Sequence, residues 1–339
     1  MIISRTPFRI SFFGGGTDYP VWYKKFGGRV INATINKYCF ITARYLPPFF
    51  DYKYRVRYYK HEEAQNINEI KHPSVRECIK YLDLKKGIEI VHNADLPARS
   101  GLGSSSTFTV GLLNALHAID NYMPTKRELA LQAIHVEQDL INESVGSQDQ
   151  TAAAFGGLNK VTFNDTSNID VDPIIISQDR LSELESNLLL FFTGFARTAS
   201  EIATKQISIT PKKEKELKTM LDICDEGLGC LTDNNSSLDG FGKLLDEQWK
   251  IKRSLTNKIS NKNIDDIYDA GMDAGALGGK LLGAGGGGFM LFYVPKEKQK
   301  SVIRALKKKL FVPFRFDQTG SKIIYYSHVD EMNIEKKEN

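Results

Sequence analysis

Two carboxylates twelve residues apart (Glu137 and Asp149), a serine triplet at 104–106, and an arginine, a glycine run and an aspartate (Arg9, 14–16 and Asp18) are the residues whose types and spacing could do chemistry. One carboxylate of such a pair could hold a hard cation while the other takes the proton of a substrate hydroxyl. The triplet opens an apolar-periodic stretch, SGLGSSSTFTVGLLNALHAI at 100–119. A helix start leaves backbone N–H groups without partners and carries about half a positive charge, so a phosphate is stabilised there. Gly101 and Gly103 remove side chains from its approach; Ser104, Ser105 and Ser106 add hydroxyl donors or an oxygen for Mg2+. The loop lacks the lysine of a Walker-type phosphate loop, so positive charge must come from elsewhere. Taken alone, the stretch fits a serine-capped helix as well, and the two acids fit a solvated surface.

Two further stretches bear on this choice. In TPFRISFFGGGTDYP, 6–20, a strand carries Arg9 and a glycine turn presents Thr17 and Asp18. In KLLGAGGGGFMLFY, 280–293, four consecutive glycines precede a run of strong strand formers, which allows close backbone approach to a ligand.

The elements that must position these residues follow from periodicity. Strands are predicted over 2–13, 30–43, 55–59, 88–94, 158–163, 187–193, 289–294 and 323–328. Helices are predicted over 108–120, from a capping box at Thr125 and Glu128 through Leu140, and over 212–231, 240–255, 265–272 and 302–310. Residues 61–84 read as polar loop and helix, 144–157 as a small-residue stretch, 278–288 as a glycine segment and 335–339 as a frayed tail. A length of 339 residues suggests two domains. A polar, turn-rich shift at 164–172 places the boundary, giving 1–170 and 171–339.

The chain is 41% hydrophobic and 25% charged, which fits a soluble globular protein, and its formal charge of +4 is too slight to demand nucleic acid or membrane. No apolar run has the length of a leader core or of a membrane span, so a cytoplasmic protein with neither of those partners is expected, a monomer or homodimer. Cys39, Cys78, Cys224 and Cys230 form no CxxC pair and read as reduced thiols.

The stretches at 7–18, 97–106 and 280–289, in this order, resemble the three signature motifs of the GHMP kinase superfamily. The resemblance implies an α+β, two-domain fold. Its N-terminal ATP-binding half is similar to a domain of a small-subunit ribosomal protein, with a left-handed βαβ crossover; its C-terminal half is a ferredoxin-like sandwich, and the active site lies between them. FFTGFARTAS at 191–200 and DEQWKIKRSL at 246–255 are similar to stretches of the branch holding fucokinases and heptose kinases. That branch implies ATP-dependent phosphorylation of the anomeric C1 hydroxyl of a sugar phosphate, a heptose 7-phosphate, on a route to a GDP-activated heptose. Gly15 and Gly16 stand where galactokinases place Glu and His, which argues against galactose.

Carried onto this sequence, the resemblance implies ATP and Mg2+ as cofactors. ATP would lie along Pro97, Ser100, Gly101, Leu102, Gly103, Ser104, Ser105 and Ser106, with Mg2+ held by Ser105 and Glu137. Asp149 would accept or orient the hydroxyl proton, and Arg9 would hold that acid ionised and face the γ-phosphate. Thr17 and Asp18, with Gly15 and Gly16, would meet sugar hydroxyls; Arg197 would close over the substrate, and Gly285 and Gly286 would complete the cleft. For the substrate's own phosphate, Arg197, Lys252, Arg253, Lys24 and Arg29 stay open. An L-fucose 1-kinase and a non-catalytic sugar-sensing regulator are the alternative readings, and the presence of Asp149, Glu137 and Ser105 argues for chemistry. The charge balance argues against an RNA-binding module. No local motif marks the adenine pocket.

Overall fold

The computed structural model describes residues 1–98, 100–164, 168–194 and 199–327. The chain opens with β1 (Ile2–Phe13), α1 (Pro20–Phe26), β2 (Gly28–Tyr45), β3 (Tyr54–Arg57), β4 (His61–Ala64), α2 (Pro73–Tyr81) and β5 (Ile88–Ala94). It continues through α3 (Ser104–Ile119), α4 (Lys126–His135), α5 (Gln148–Phe155), β6 (Leu158–Phe163) and β7 (Ile169–Pro173). Then come α6 (Gln178–Ser186), β8 (Leu188–Phe192), α7 (Ala199–Ile209), α8 (Glu214–Thr232), α9 (Asp239–Leu255), α10 (Lys262–Asp273), β9 (Gly278–Leu281), β10 (Phe289–Tyr293), α11 (Gln299–Ala305), β11 (Leu310–Phe311), β12 (Phe316–Asp317) and β13 (Lys322–Tyr326).

β1 and β2 pair antiparallel along nearly their whole length, with Arg9 opposite Thr34. Pro7 has no N–H to give the ladder, and the register shifts between Pro7 and Phe8, two residues before Arg9. β2 is long enough to serve three neighbours: β6 at its start, β12 at its middle and β5 at its end. β3 runs parallel to β5, joined through β4 and α2. α3 is apolar almost all round and is buried accordingly. It crosses β1 so closely that a Cβ on Gly111 would lie 2.8 Å from Thr6 Oγ1, and Ser4 donates to Gly111 O at 2.7 Å. That contact fixes the start of α3 beside the strand carrying Arg9.

The second sheet has the order β11-β8-β10-β9, all antiparallel. In chain order this is 4-1-3-2, the split βαββαβ arrangement expected of a ferredoxin-like half. Trp249, Tyr268 and Phe292 belong to an apolar cluster that also takes in Trp22, Tyr23 and Phe163 of the first half. Phe241 of α9 packs edge-on against Phe12 and Phe13 of β1, centroids 5.3 and 4.8 Å away, and so joins the halves. The chain then returns: β12 pairs with β2 and β13 with β1.

Several local expectations are corrected. Residues 61–64 form strand β4, paired with β3, besides the helix expected in that region. The small-residue stretch contains α5, because Gln148–Phe155 is alanine-rich and good helix former outweighs small size. The helix through Leu140 instead ends at His135 and passes into a π-helical turn, Val136–Leu140, that contains Glu137. The glycine segment begins as strand β9, since Lys280 and Leu281 pair with β10. The four cysteines are free thiols, three of them buried. The expected tail at 335–339 lies outside the described residues. No helix among the described residues is long and apolar enough to cross a membrane.

Candidate active site

Gly103 is the N-cap of α3, in left-handed backbone at φ 77°, and no side chain caps the helix. The serines therefore lie inside the first turn, and the serine-capped alternative falls. Glycine is needed at Gly103 twice over: the φ disfavours other residues, and a Cβ would meet Arg9 Cγ at 3.3 Å and Asp149 Oδ2 at 3.4 Å. The uncapped amides thus abut an ion pair. Arg9 Nε donates to Asp149 Oδ1 at 2.7 Å and Nη2 to Oδ2 at 2.8 Å, a bidentate pair, while Nη1 donates to Gly101 O at 2.7 Å. Gln148 extends the network, donating to Asp149 Oδ1 at 3.3 Å and accepting from Ser11 Oγ at 2.8 Å.

A cavity of about 520 Å³ opens on this pair. Its wall includes Gly15, Gly16 and Asp18, then Gly101, Gly103, Ser104, Ser105 and Ser106, with Lys252, Lys280, Gly283 and Ala284 from the second half. Its far end is aromatic. His72 stacks on Phe108 with centroids 4.7 Å apart, His92 meets the Phe108 edge at 5.0 Å, and Tyr58 meets His72 at 4.9 Å. Burial lowers the His72 pKa to about 4, so its imidazole is neutral at ordinary pH. No sequence motif announced it, because its residues come from β3 and its following turn, α2, β5 and α3, which only folding brings together. A second hollow, about 460 Å³ and lined by Ile2, Tyr45, Asn121 and Tyr326 among others, contains none of these groups.

Asp18 is nearly buried and accepts the Gly16 N–H at 2.8 Å. Burial raises its pKa; the Gly16 amide opposes the shift and the charge of Asp149 adds to it. Glycine at 146 is what admits this carboxylate, since a Cβ there would sit 1.9 Å from Asp18 Oδ2. Glu137 is fully buried, and burial lifts its pKa to about 7. Its Oε2 accepts Ser106 Oγ at 2.7 Å and the Gln150 amide, while its Oε1 has no hydrogen-bond partner. An unpartnered buried carboxylate oxygen beside serine hydroxyls is a hard-oxygen donor set that fits Mg2+. Among the described residues no group of three or more His, Cys, Asp or Glu could hold a metal, so phosphate oxygens and water would have to complete the shell.

Other expected positions are redistributed. The serine on Glu137 is Ser106, not Ser105, which is exposed in the cavity wall; successive residues of α3 point about 100° apart. Pro97 is exposed outside the wall, and Ser100 and Leu102 are fully buried beneath it, with Leu102 O accepting the Arg9 N–H at 3.1 Å. Thr17 does not face the cavity. It is fully buried, with Oγ1 2.8 Å from Gly14 O, and closes the glycine turn. Gly285 and Gly286 pack on Ile259, whose carbonyl accepts the Gly286 N–H at 2.9 Å; Gly283 and Ala284 supply that part of the wall instead. Arg197 lies outside the described residues. Of the remaining cations, Lys24 is exposed, Arg29 pairs with Asp225, and Arg253 pairs with Asp265 at 3.0 Å. Only Lys252 among these is in the wall.

Residues 71–157 match the GHMP kinases N terminal domain and residues 228–312 the GHMP kinases C terminal. A D-glycero-alpha-D-manno-heptose 7-phosphate kinase of Campylobacter jejuni is 31% identical over 333 residues, covering 95% of this chain and 98% of that protein. The bifunctional fucokinase/GDP-fucose pyrophosphorylase of Arabidopsis thaliana is 29% identical over 238 residues, 68% of this chain but 22% of that longer protein. Among solved structures, a D-glycero-D-manno-heptose 1-phosphate kinase from Bacteroides thetaiotaomicron superposes with a TM-score of 0.72 at 26% identity, covering 97% of this chain and 100% of that one. A mevalonate kinase structure, 21% identical with a TM-score of 0.71 over 93% and 99% of the two chains, shares the fold. Fold and relatives define the class, an enzyme that transfers a phosphoryl group to a small molecule. The chain belongs to the GHMP kinase family, as a sugar kinase with both halves of that fold.

Proposed function

We propose that this kinase transfers the γ-phosphoryl group of ATP to the anomeric C1 hydroxyl of D-glycero-D-manno-heptose 7-phosphate. The observation that carries the proposal is the bidentate Arg9–Asp149 pair set directly against the uncapped N-terminus of α3. It places an acid, a cation and a row of amides around one point, which is what phosphoryl transfer needs. The likeness to the Campylobacter heptose 7-phosphate kinase over nearly the whole chain supports the sugar. A C1 phosphate is also the group that a nucleotidyl transfer making an activated sugar consumes.

In this reading the base of ATP lies at the Phe108–His72 end and its phosphates run to Gly101–Ser106. The amides of the first α3 turn hold the anionic oxygens. Glu137, with Ser105 or Ser106, holds Mg2+, which supplies charge neutralisation on the phosphates. Asp18 accepts hydrogen bonds from sugar hydroxyls, with Gly15 and Gly16 leaving room for the ring. Asp149 takes or aims the C1 hydroxyl proton, and Arg9 holds its carboxylate in place. Substrate binding by Arg197 belongs to the same proposal.

The fucokinase relative favours a second reading, L-fucose as acceptor. An ADP-release assay on heptose 7-phosphate, L-fucose, mannose and galactose in parallel separates them. Turnover with the heptose phosphate is expected to exceed the rest, with product phosphorus at C1 by NMR. Preference for unphosphorylated L-fucose replaces the first reading with the second, and tight ATP and sugar binding without turnover replaces both with a sensor.

A further inference from the structure

α9 ends against the cavity that Arg9 also lines. Gln248 and Trp249 are fully buried, and Lys252 stands one turn on, on the same inward face. Its side chain is 6% exposed, yet it lines the cavity, and its Nζ donates to Gly283 O. Gly283 in turn packs backbone to backbone on Gly101, where its Cβ would lie 2.5 Å from Gly101 Cα, and Gly101 O is the acceptor for Arg9 Nη1. Two cations from the two halves therefore hang from carbonyls of two loops in contact, beside the uncapped end of α3.

Arg9 on β1, Asp18 after β1, Asp149 on α5 and Lys280 on β9 are the charged groups that act on Lys252 or sit beside it. Arg9 and Asp149 neutralise each other, and Lys280 donates to Phe12 O at 2.7 Å. Burial holds the Lys280 pKa well below the usual lysine range, and Lys252 has no ion-pair partner among the described residues. A buried cation is costly unless an anion meets it. Its neighbours are the groups that surround the reacting atoms, not a remote part of the cleft.

We infer that Lys252 is a catalytic residue of the second half, donating a hydrogen bond to a non-bridging oxygen of the phosphoryl group in flight. This rests on the kinase reading above. The C1 hydroxyl oxygen bonds to the γ-phosphorus as the bond to the β–γ bridging oxygen breaks. The electron pair leaves with ADP, and the hydroxyl proton passes to Asp149. Lys252 keeps its own protons and stabilises the charge that spreads over the γ-oxygens. Burial, with the Arg9 charge added, holds the pKa of Lys252 down to about 8 in the free protein.

The test compares the parent, Lys252→Met and Lys252→Arg under steady-state turnover with the acceptor the parent uses best. Lys252→Met should lose ~100-fold or more in kcat, with sugar KM within about threefold and ADP affinity and melting temperature near the parent's. Lys252→Arg should recover at least ~10-fold. Parent kcat/KM should fall as pH rises through about 8, and this limb should disappear in Lys252→Arg, which stays charged. An unchanged kcat in Lys252→Met, or a loss confined to KM of a phosphorylated sugar, overturns the inference; the latter assigns the lysine to the substrate's own phosphate. A second arm needs no sugar. In 15N-lysine-labelled parent, the Lys252 titration midpoint should rise with Mg2+ and the imido analogue of ATP and stay put with ADP. A midpoint that ignores the triphosphate overturns the inference even if no sugar is turned over, while a rise in such an inert protein upholds it and removes only the sugar reading.

Discussion

At the scale of single residues, the site is an arrangement of buried charge. Asp149 is held by two hydrogen bonds from one guanidinium, so its carboxylate is aimed. Replacing Asp149 with Asn keeps the shape and removes the proton acceptor. Turnover should fall at least ~10²-fold, the usual scale for a positioned acid–base group, while calorimetric affinity for an ATP analogue stays within a few-fold. Near-normal turnover in that variant would take Asp149 out of the reaction. Glu137 sits differently: it has no ion-pair partner among the described residues, and its burial is opposed by the Thr109, Ser106 and Gln150 side chains. Its raised pKa follows from that, and one free oxygen remains.

At the scale of elements, glycine works by absence in two different ways. Gly103 combines a left-handed φ of 77° with the Arg9–Asp149 pair at its open side. Gly103→Val should therefore weaken nucleotide binding at least ~10-fold in a folded variant, since a branched side chain there both strains the backbone and blocks the approach to the first α3 amides. Fluorescence titration with a labelled ADP reads this, and unchanged affinity would mean that the phosphates bind elsewhere. Gly229, exposed on α8 with nothing within 4 Å of an added Cβ, is the contrasting case. Gly229→Ala should stabilise the protein by about 0.5–1 kcal/mol in urea melts, through helix propensity alone.

At the scale of the whole molecule, the chain closes on itself. β13 pairs with β1, and Ser321 bonds Thr6 at 2.8 Å and Asn114 at 3.0 Å, so the last strand braces the strand of Arg9 and the helix of the phosphate loop together. Deleting residues 321–339 should lower the melting temperature by at least about 3 °C, on a scale of ~2–4 °C per kcal/mol. It should also expose the β1 edge to pairing with other chains. A melting curve and light scattering check both, and an unchanged Tm would show that the brace carries no stability. Phe241 against Phe12 and Phe13 ties the halves at a second point, and the cavity lies between these ties.

The sequence by itself determined the strand of Arg9, the glycine–serine loop before α3, most strands and helices, and the acids at 137 and 149. These rest on short-range physics: a period of two or 3.6, a turn that needs glycine, a helix start that attracts anions. It could not decide which serine meets Glu137, because whether Ser105 or Ser106 points inward depends on how α3 is rotated against β1 and α5. Nor could it single out Lys252 from Lys24, Arg29 and Arg253, since burial at the cavity is set by the packing of α9 on β9 and β1, elements far apart in the chain. The Phe108–His72 end was invisible for the same reason, being assembled from four separate stretches. Local pattern fixes what each segment can become, and only the packing of distant segments fixes which side chains face one another.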